Sequence, residues 1–218
     1  MPIRHVIYLH GFTSGPNSTK ARFFAARMAC HGVVMLVPDL NQPAFETLTI
    51  TRMIDQTREA IDAAGDDRVV LIGASLGAFV ALHAADERVD RLVLMAPALD
   101  FGGNRLRQLG EHGIDEWRRT GRVTLFHYGR NEPADIGFQL YEDGARYDAF
   151  SVNLTQPILM FQGTRDELVD PAMVQEWASR RPNVDLRLLD DGHQLLESVD
   201  LIWSETEKFL GLSDVLQR

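Results

Sequence analysis

Short apolar runs recur along the chain, each closed by turn residues. Val6-Ile7-Tyr8-Leu9 leads into a loop of Gly, Ser, Pro and Asn. Val33 to Val37 ends at Pro38, Val69 to Ile72 at Gly73, Leu92 to Met95 just before Pro97, and Ile158 to Phe161 just before Gly163. Runs of this length, apolar at every position, predict strands buried on both faces of a parallel sheet. Val184 to Leu189 alternates instead, with Asp185 and Arg187 between apolar residues. That pattern predicts an edge strand with one wet face.

Stretches of helical periodicity lie between the runs. Thr19 to Cys30 has Asn17 or Ser18 as a cap; Ala44 to Ala64 and Leu76 to Asp86 follow the second and third runs. Asp170 and Pro171 are placed to open a helix that reaches Arg180. Leu195, Val199, Ile202 and Phe209 trace one face of a last helix, which Gly211 closes. Strand and helix in alternation predict an α/β fold: a mostly parallel sheet of about six strands with helices on both faces.

One segment breaks the alternation. Residues 101–151 form a connection of about fifty residues, a length that marks an active-site lid or, failing that, a decorative insertion. It holds a predicted short helix at Ile114 to Arg119 and two β-like runs, Val123 to Tyr128 and Ile136 to Tyr141. The expected organisation is one domain, 1–218, carrying 101–151 as an insertion.

Composition narrows the partners. The 218 residues are 45% hydrophobic and 24% charged, ordinary for a globular chain able to form its own core. No run approaches the roughly eighteen apolar residues of a membrane-spanning helix, so no membrane partner is expected. The net charge of −9 repels a phosphate backbone on average, and Arg118–Arg119 and Arg180–Arg181 are isolated basic pairs. Nucleic acid is therefore excluded as an expected partner. Cys30 stands alone, and the opening MPIRHVIYLHG has no apolar leader, which points to the cytoplasm.

The chemistry concentrates at strand ends. Gly73-Ala74-Ser75-Leu76-Gly77 is a G-x-S-x-G sequence placed after a buried strand and before a helix. In that context the serine sits on a sharp turn, and the flanking glycines leave room for it. No GxGxxG or GxxxxGK sequence supports a nucleotide site. A serine hydroxyl needs a base. His83 lies two helical turns beyond Ser75, roughly 12 Å at 1.5 Å per residue, which is too far. His5 and His10 belong to the first strand, His31 to a helix end, and His112 and His127 to the insertion. His193, in Asp190-Asp191-Gly192-His193, follows the last strand and shares the carboxyl edge of the sheet with Ser75. Asp166, after the fifth strand, is the candidate to orient that histidine; Glu167 and Asp170 are rivals, although Asp170 suits a helix cap. Oxyanion donors are expected from the N–H of Leu76 and, in the loop His10 to Gly15, of Phe12, with Thr13 second. His10 is expected to hold that loop.

In this order and register, Ser75, Asp166 and His193 resemble the catalytic residues of the α/β-hydrolases. The opening Ile7 to Pro16, with Ser18-Thr19-Lys20-Ala21, is similar to that of small bacterial esterases labelled YqiA and YcfP. The chain departs from the superfamily in starting at the strand that bears the oxyanion loop, and in the insertion. The resemblance implies a serine hydrolase of small-molecule carboxylic esters or thioesters, acting through an acyl-enzyme with neither metal nor organic cofactor. A non-catalytic binding module, an amide hydrolase and an acyltransferase are the alternatives. Phe101, Leu106, Trp117, Phe126, Tyr128, Phe138 and Tyr141 are the insertion's large side chains, and Trp117, Tyr128 and Phe138 are the expected substrate contacts.

Overall fold

The computed structural model describes residues 3–101 and 110–212, with the side chains of the second stretch described from 113 onward. Leu106 and the side chain of His112 thus lie outside the described residues. Six strands form one sheet: β1 (His5–Leu9), β2 (Val34–Leu36), β3 (Val69–Ala74), β4 (Val89–Met95), β7 (Ile158–Gly163) and β8 (Val184–Leu189). Their order is β2-β1-β3-β4-β7-β8, with every neighbouring pair parallel.

Alternate residues of the central strands feed two separate cores. Ile7, Leu9, Leu71, Leu94 and Met160 point to one side, where α2 (Ile50–Asp62) and α3 (Leu76–Ala84) pack. Val6, Tyr8, Ile72, Val93 and Phe161 point to the other, against α1 (Thr19–Cys30) and α7 (Val199–Phe209). Each large apolar side chain so buried contributes about 1.5–3 kcal/mol. This two-sided burial is why β3 and β7 carry no polar face, apart from Gln162.

Local chemistry sets the helix starts. The Ser18 hydroxyl accepts from Ala21 N–H and caps α1. Thr49 caps α2 by accepting from Arg52 N–H, so the helix opens at Ile50 rather than at Ala44. The residues before it make a separate 3-10 turn, Phe45–Thr47. Asp170 accepts from Ala172 N–H at the head of α6 (Pro171–Ser179). Leu195 precedes α7 instead of belonging to it, yet is fully buried. The second run also departs from expectation. It forms only a three-residue edge strand, with Val34 72% exposed, because β2 stands at the end of the strand order.

The connection between β4 and β7 has its own structure: α4 (Gly110–Thr120), β5 (Arg122–His127), β6 (Glu132–Gly137) and α5 (Gln139–Gly144). β5 and β6 pair as an antiparallel hairpin. β6 starts four residues before the apolar run that predicts it and ends where α5 begins. Pairing of His127 with Glu132 and of Arg122 with Gly137 fixes that register. The insertion is tied down: Thr51, on α2, donates its N–H and its hydroxyl to the Asp143 carboxylate, each at 2.7 Å. Among the described residues no helix is long and apolar enough to cross a membrane.

Candidate active site

Parallel strands bring the loops after β1, β3, β7 and β8 to one edge of the sheet. Ser75 sits between β3 and α3 with φ 54° and ψ −115°, a backbone conformation that costs about 1–3 kcal/mol for a residue with a side chain. Backbone hydrogen bonds hold it: Ser75 N–H donates to Met95 O at 2.9 Å, and Ser75 O accepts from Ala78 N–H at 3.0 Å, Ala98 N–H at 3.2 Å and Phe79 N–H at 3.3 Å. A Cβ on Gly73 would lie 2.6 Å from Ala78 Cα, and one on Gly77 2.1 Å from Leu9 O. Both positions admit only glycine without backbone displacement. The turn sets Ser75 at the head of α3, where the partial positive charge of the helix favours a developing negative charge.

His193 reaches Ser75 from the loop after β8. Its Nε2 lies 3.0 Å from Ser75 Oγ, and its Nδ1 lies 2.9 and 3.1 Å from the two oxygens of Asp166. The Asp166 side chain has no solvent exposure and that of His193 only 11%. Burial opposes ionisation of Asp166, but the bond from His193, the Val169 N–H and the Gln162 amide together hold its carboxyl below the usual range. One oxygen accepts from Leu168 and Val169 N–H, each at 2.9 Å, and the other from Gln162 Nε2 at 2.9 Å. The carboxylate is therefore ionised, fixed in direction and aimed at Nδ1. Because Nδ1–H donates to Asp166, Nε2 is left as acceptor toward Ser75.

The rival groups have other partners. Asp170 is the α6 cap, and Glu167 faces solvent. His10 is buried; its Nε2 accepts from Leu40 N–H at 3.1 Å, so Nδ1–H donates to Gly11 O at 3.0 Å. This is the loop-holding role expected of it. His83 bonds Phe79 O within α3, His31 faces Glu207, and His5 faces Asp67. Burial lowers the pKa of both His83 and His127. Among the described residues no group of three metal-ligating side chains occurs.

In the loop after β1, Thr13 has φ 55°, and the Phe12 ring packs 5.7 Å from Phe45 and 5.9 Å from Phe101. The Leu76 N–H opens α3, where first-turn donors have no acceptor inside the helix.

The three expected substrate contacts separate. Trp117 and Phe138 are buried and stack edge-to-face at 5.6 Å, with Trp117 Nε1–H donating to Ile136 O at 3.0 Å. Both join the core beneath the insertion, so their surface is covered by protein. Tyr128 is 76% exposed and packs against Phe126 at 5.1 Å, beside the turn of the hairpin.

The loops are held by residues that the sequence pattern alone does not single out. Asp191 accepts from Gly192 N–H at 2.7 Å and Ser198 N–H at 2.9 Å, shaping the turn that presents His193. Lys20 Nζ donates to Gln194 O at 2.6 Å. Burial lowers its pKa to about 8, against the raising influence of Asp191 and Asp166. Gln162 did leave a signal, as the single polar side chain in an otherwise apolar buried run.

Sheet order, serine turn and strand-end loops together define an α/β-hydrolase fold. The chain belongs to the family described as Uncharacterised protein family (UPF0227), whose pattern it matches over residues 5–206. It is 34% identical to the lipase LipV of Mycobacterium tuberculosis over 92 residues, a match spanning 38% of this chain and 35% of that protein. In structure it resembles alpha/beta hydrolase domain-containing protein 10 from mouse, with a TM-score of 0.79 and 21% identity over 95% of this chain and 89% of that one. It also resembles Est1E from Butyrivibrio proteoclasticus, with a TM-score of 0.75 and 16% identity over 100% of this chain and 90% of that one. At these identities the structural likeness establishes the fold.

Proposed function

We propose that the chain is a serine hydrolase that cleaves carboxylic esters or thioesters of small molecules. The observation that carries this reading is the unbroken hydrogen-bonded series Ser75 Oγ, His193 Nε2, His193 Nδ1, Asp166, assembled from three separate loops. Ser75 Oγ attacks the acyl carbon while His193 Nε2 takes its proton. Asp166 stabilises the imidazolium and holds its orientation. The oxyanion of the tetrahedral intermediate is received by the N–H groups of Phe12 and Leu76. His193 then gives its proton to the departing alcohol or thiol, leaving an acyl-Ser75 ester. Water repeats the steps, with His193 as base, and releases the acid.

We further propose that the chain acts as one domain in which residues 101–151 are a lid over the site. Its exposed Tyr128, paired with Phe126, then contacts the acyl or alcohol group. An exposed lone thiol, Cys30, fits the reducing conditions of the cytoplasm. A panel of esters and thioesters of graded acyl length, hydrolysed beside a Ser75→Ala control, tests the reading. The expected result is turnover that falls on the order of 10³-fold or more in the control. Equal turnover by wild type and Ser75→Ala overturns it.

A further inference from the structure

The loop that carries Phe12 N–H does not hold its shape alone. Thr13 is β-branched and sits at φ 55°, an outlier conformation for such a residue. Within the loop, one long bond from Ser14 N–H to Gly11 O, at 3.3 Å, supports it. The remaining support comes from two side chains and from the insertion. His10 Nδ1 holds Gly11 O, and Asn41 Nδ2 donates to Ser14 O at 2.8 Å. The third support comes from the insertion: Gly129 N–H donates to Thr13 O at 3.1 Å.

Gly129 lies in the turn between β5 and β6. A Cβ there would meet Ser14 C at 2.9 Å and both Gly15 N and Ser14 O at 3.0 Å, all of them backbone atoms. The close approach therefore requires glycine, and any side chain would push the loop. The turn itself is pinned by His127. Its carbonyl accepts from Arg130 N–H at 3.1 Å and Asn131 N–H at 2.8 Å, and its Nδ1 accepts from Arg130 N–H at 3.2 Å. The buried His127 ring stands edge-on to Phe45 at 4.7 Å, and Phe45 in turn packs against Phe12. The hairpin thus reaches Phe12 from two directions, through the carbonyl that follows it in the chain and through its ring.

From this we infer that the tip of the inserted hairpin sets the oxyanion hole, with Gly129 as a positioning residue for the Phe12 N–H. The inference rests on the hydrolase reading above. It makes the insertion part of the catalytic frame, as well as a cover.

The test compares Gly129→Ala with wild type and with Gly137→Ala. The latter perturbs the far end of the same hairpin, where the three atoms nearest an added Cβ all belong to the Gln139 side chain and none to the backbone. The readouts are kcat and KM on a short ester, the pH profile, thermal stability, and affinity for a trifluoromethyl ketone. Ser75 Oγ adds to the ketone carbon and passes its proton to His193, leaving an oxyanion where the hole must receive it. Losing one oxyanion donor lowers turnover by ~10²–10³-fold, so a displaced donor in Gly129→Ala is expected to lower kcat ~10–100-fold. KM changes less, and ketone affinity falls in parallel with kcat/KM. The pH profile stays put, and Gly137→Ala matches wild type.

His127→Phe is the second variant, keeping a ring against Phe45 while removing the Nδ1 acceptor. It is expected to lose kcat in the same direction, and it carries the test where Gly129→Ala does not fold. A folded Gly129→Ala within twofold of wild type overturns the inference. So does a fall in kcat with ketone affinity unchanged, or, where only His127→Phe folds, an unchanged kcat in that variant. Wild-type hydrolysis that does not depend on Ser75 overturns the hydrolase reading itself, which the Ser75→Ala control separates from the other outcomes.

Discussion

Gly77→Ala sets two effects against each other whose sizes follow from the structure. In a helix, alanine is favoured over glycine by about 1 kcal/mol. At this position, however, a Cβ would lie 2.1 Å from Leu9 O, 2.5 Å from Leu9 C and 2.7 Å from His10 O. All three are backbone atoms at the end of β1, and Leu9 is fully buried. Relief requires the head of α3 and the end of β1 to separate by about 1 Å, a forced overpacking that costs about 1–3 kcal/mol or more. The clash therefore outweighs the propensity gain. The two pieces forced apart carry Ser75 and the loop of Phe12, and a 1 Å misplacement of reacting groups costs on the order of 10²-fold in rate. Gly11→Ala is the matched comparison in the same contact. Its Cβ would sit 3.4 Å from Ala74 O and Ser75 Cβ, near ordinary van der Waals distance. Urea unfolding with ester kinetics should show a lower midpoint and much lower kcat for Gly77→Ala, with Gly11→Ala changed far less. A Gly77→Ala protein as stable and active as wild type would refute this reasoning, as would Gly11→Ala proving the more damaging of the two.

Three further perturbations test other parts of the account. Asp166→Asn keeps the side chain's shape but reverses which His193 nitrogen carries the proton, so kcat should fall about 10³–10⁴-fold in a protein that still folds; a loss under tenfold contradicts the role given to Asp166. Lys20 binds its proton less tightly in the folded protein, at about 8 against 10.5, so the unfolded chain holds more protons between those values and stability should rise with pH across that window, by about 3 kcal/mol at most. Denaturation of wild type and Lys20→Met at pH 7 and pH 10.5 measures the difference in slope, and equal slopes contradict it. Trp117→Ala should cost about 3–5 kcal/mol by urea unfolding while leaving the acyl-length preference of the folded protein alone, and Tyr128→Ala should do the reverse; a shifted preference in Trp117→Ala would return that residue to the substrate wall.

The sheet and the meeting of Ser75, Asp166 and His193 at one of its edges were legible because they depend on local signals. Apolar runs on both faces mark parallel strands, and a parallel sheet places the residues after each strand on one edge, which groups Ser75, Asp166 and His193 without any distance being known. The turn glycines Gly73 and Gly77 are visible for the same reason. What escaped depends on contacts distant in sequence. Val33 to Val37 has the composition of a buried strand, and only its place at the end of the strand order leaves Val34 in water. The start of β6 is set by pairing with β5, which recruits the polar Glu132 and Asp135 that periodicity assigns to a loop. Trp117 and Phe138 are large and apolar whether they line a cleft or fill a core, so sequence alone does not separate these fates. Asn41 and Gly129 act on the loop after β1, far from them along the chain, and nothing in their neighbours announces it.

The central claim is that Ser75 is a nucleophile activated by His193. A small fluorophosphonate tests it most directly, because an activated serine attacks phosphorus as it attacks a carbonyl carbon. The native wild-type protein and His193→Ala are each treated with the probe, then followed by intact mass and peptide mapping. The account predicts a single adduct in wild type, on Ser75 within the peptide spanning Gly73 to Gly77, and labelling slowed by orders of magnitude in His193→Ala. An adduct on another residue, no adduct on native wild type, or equally fast labelling of Ser75 in His193→Ala would contradict it.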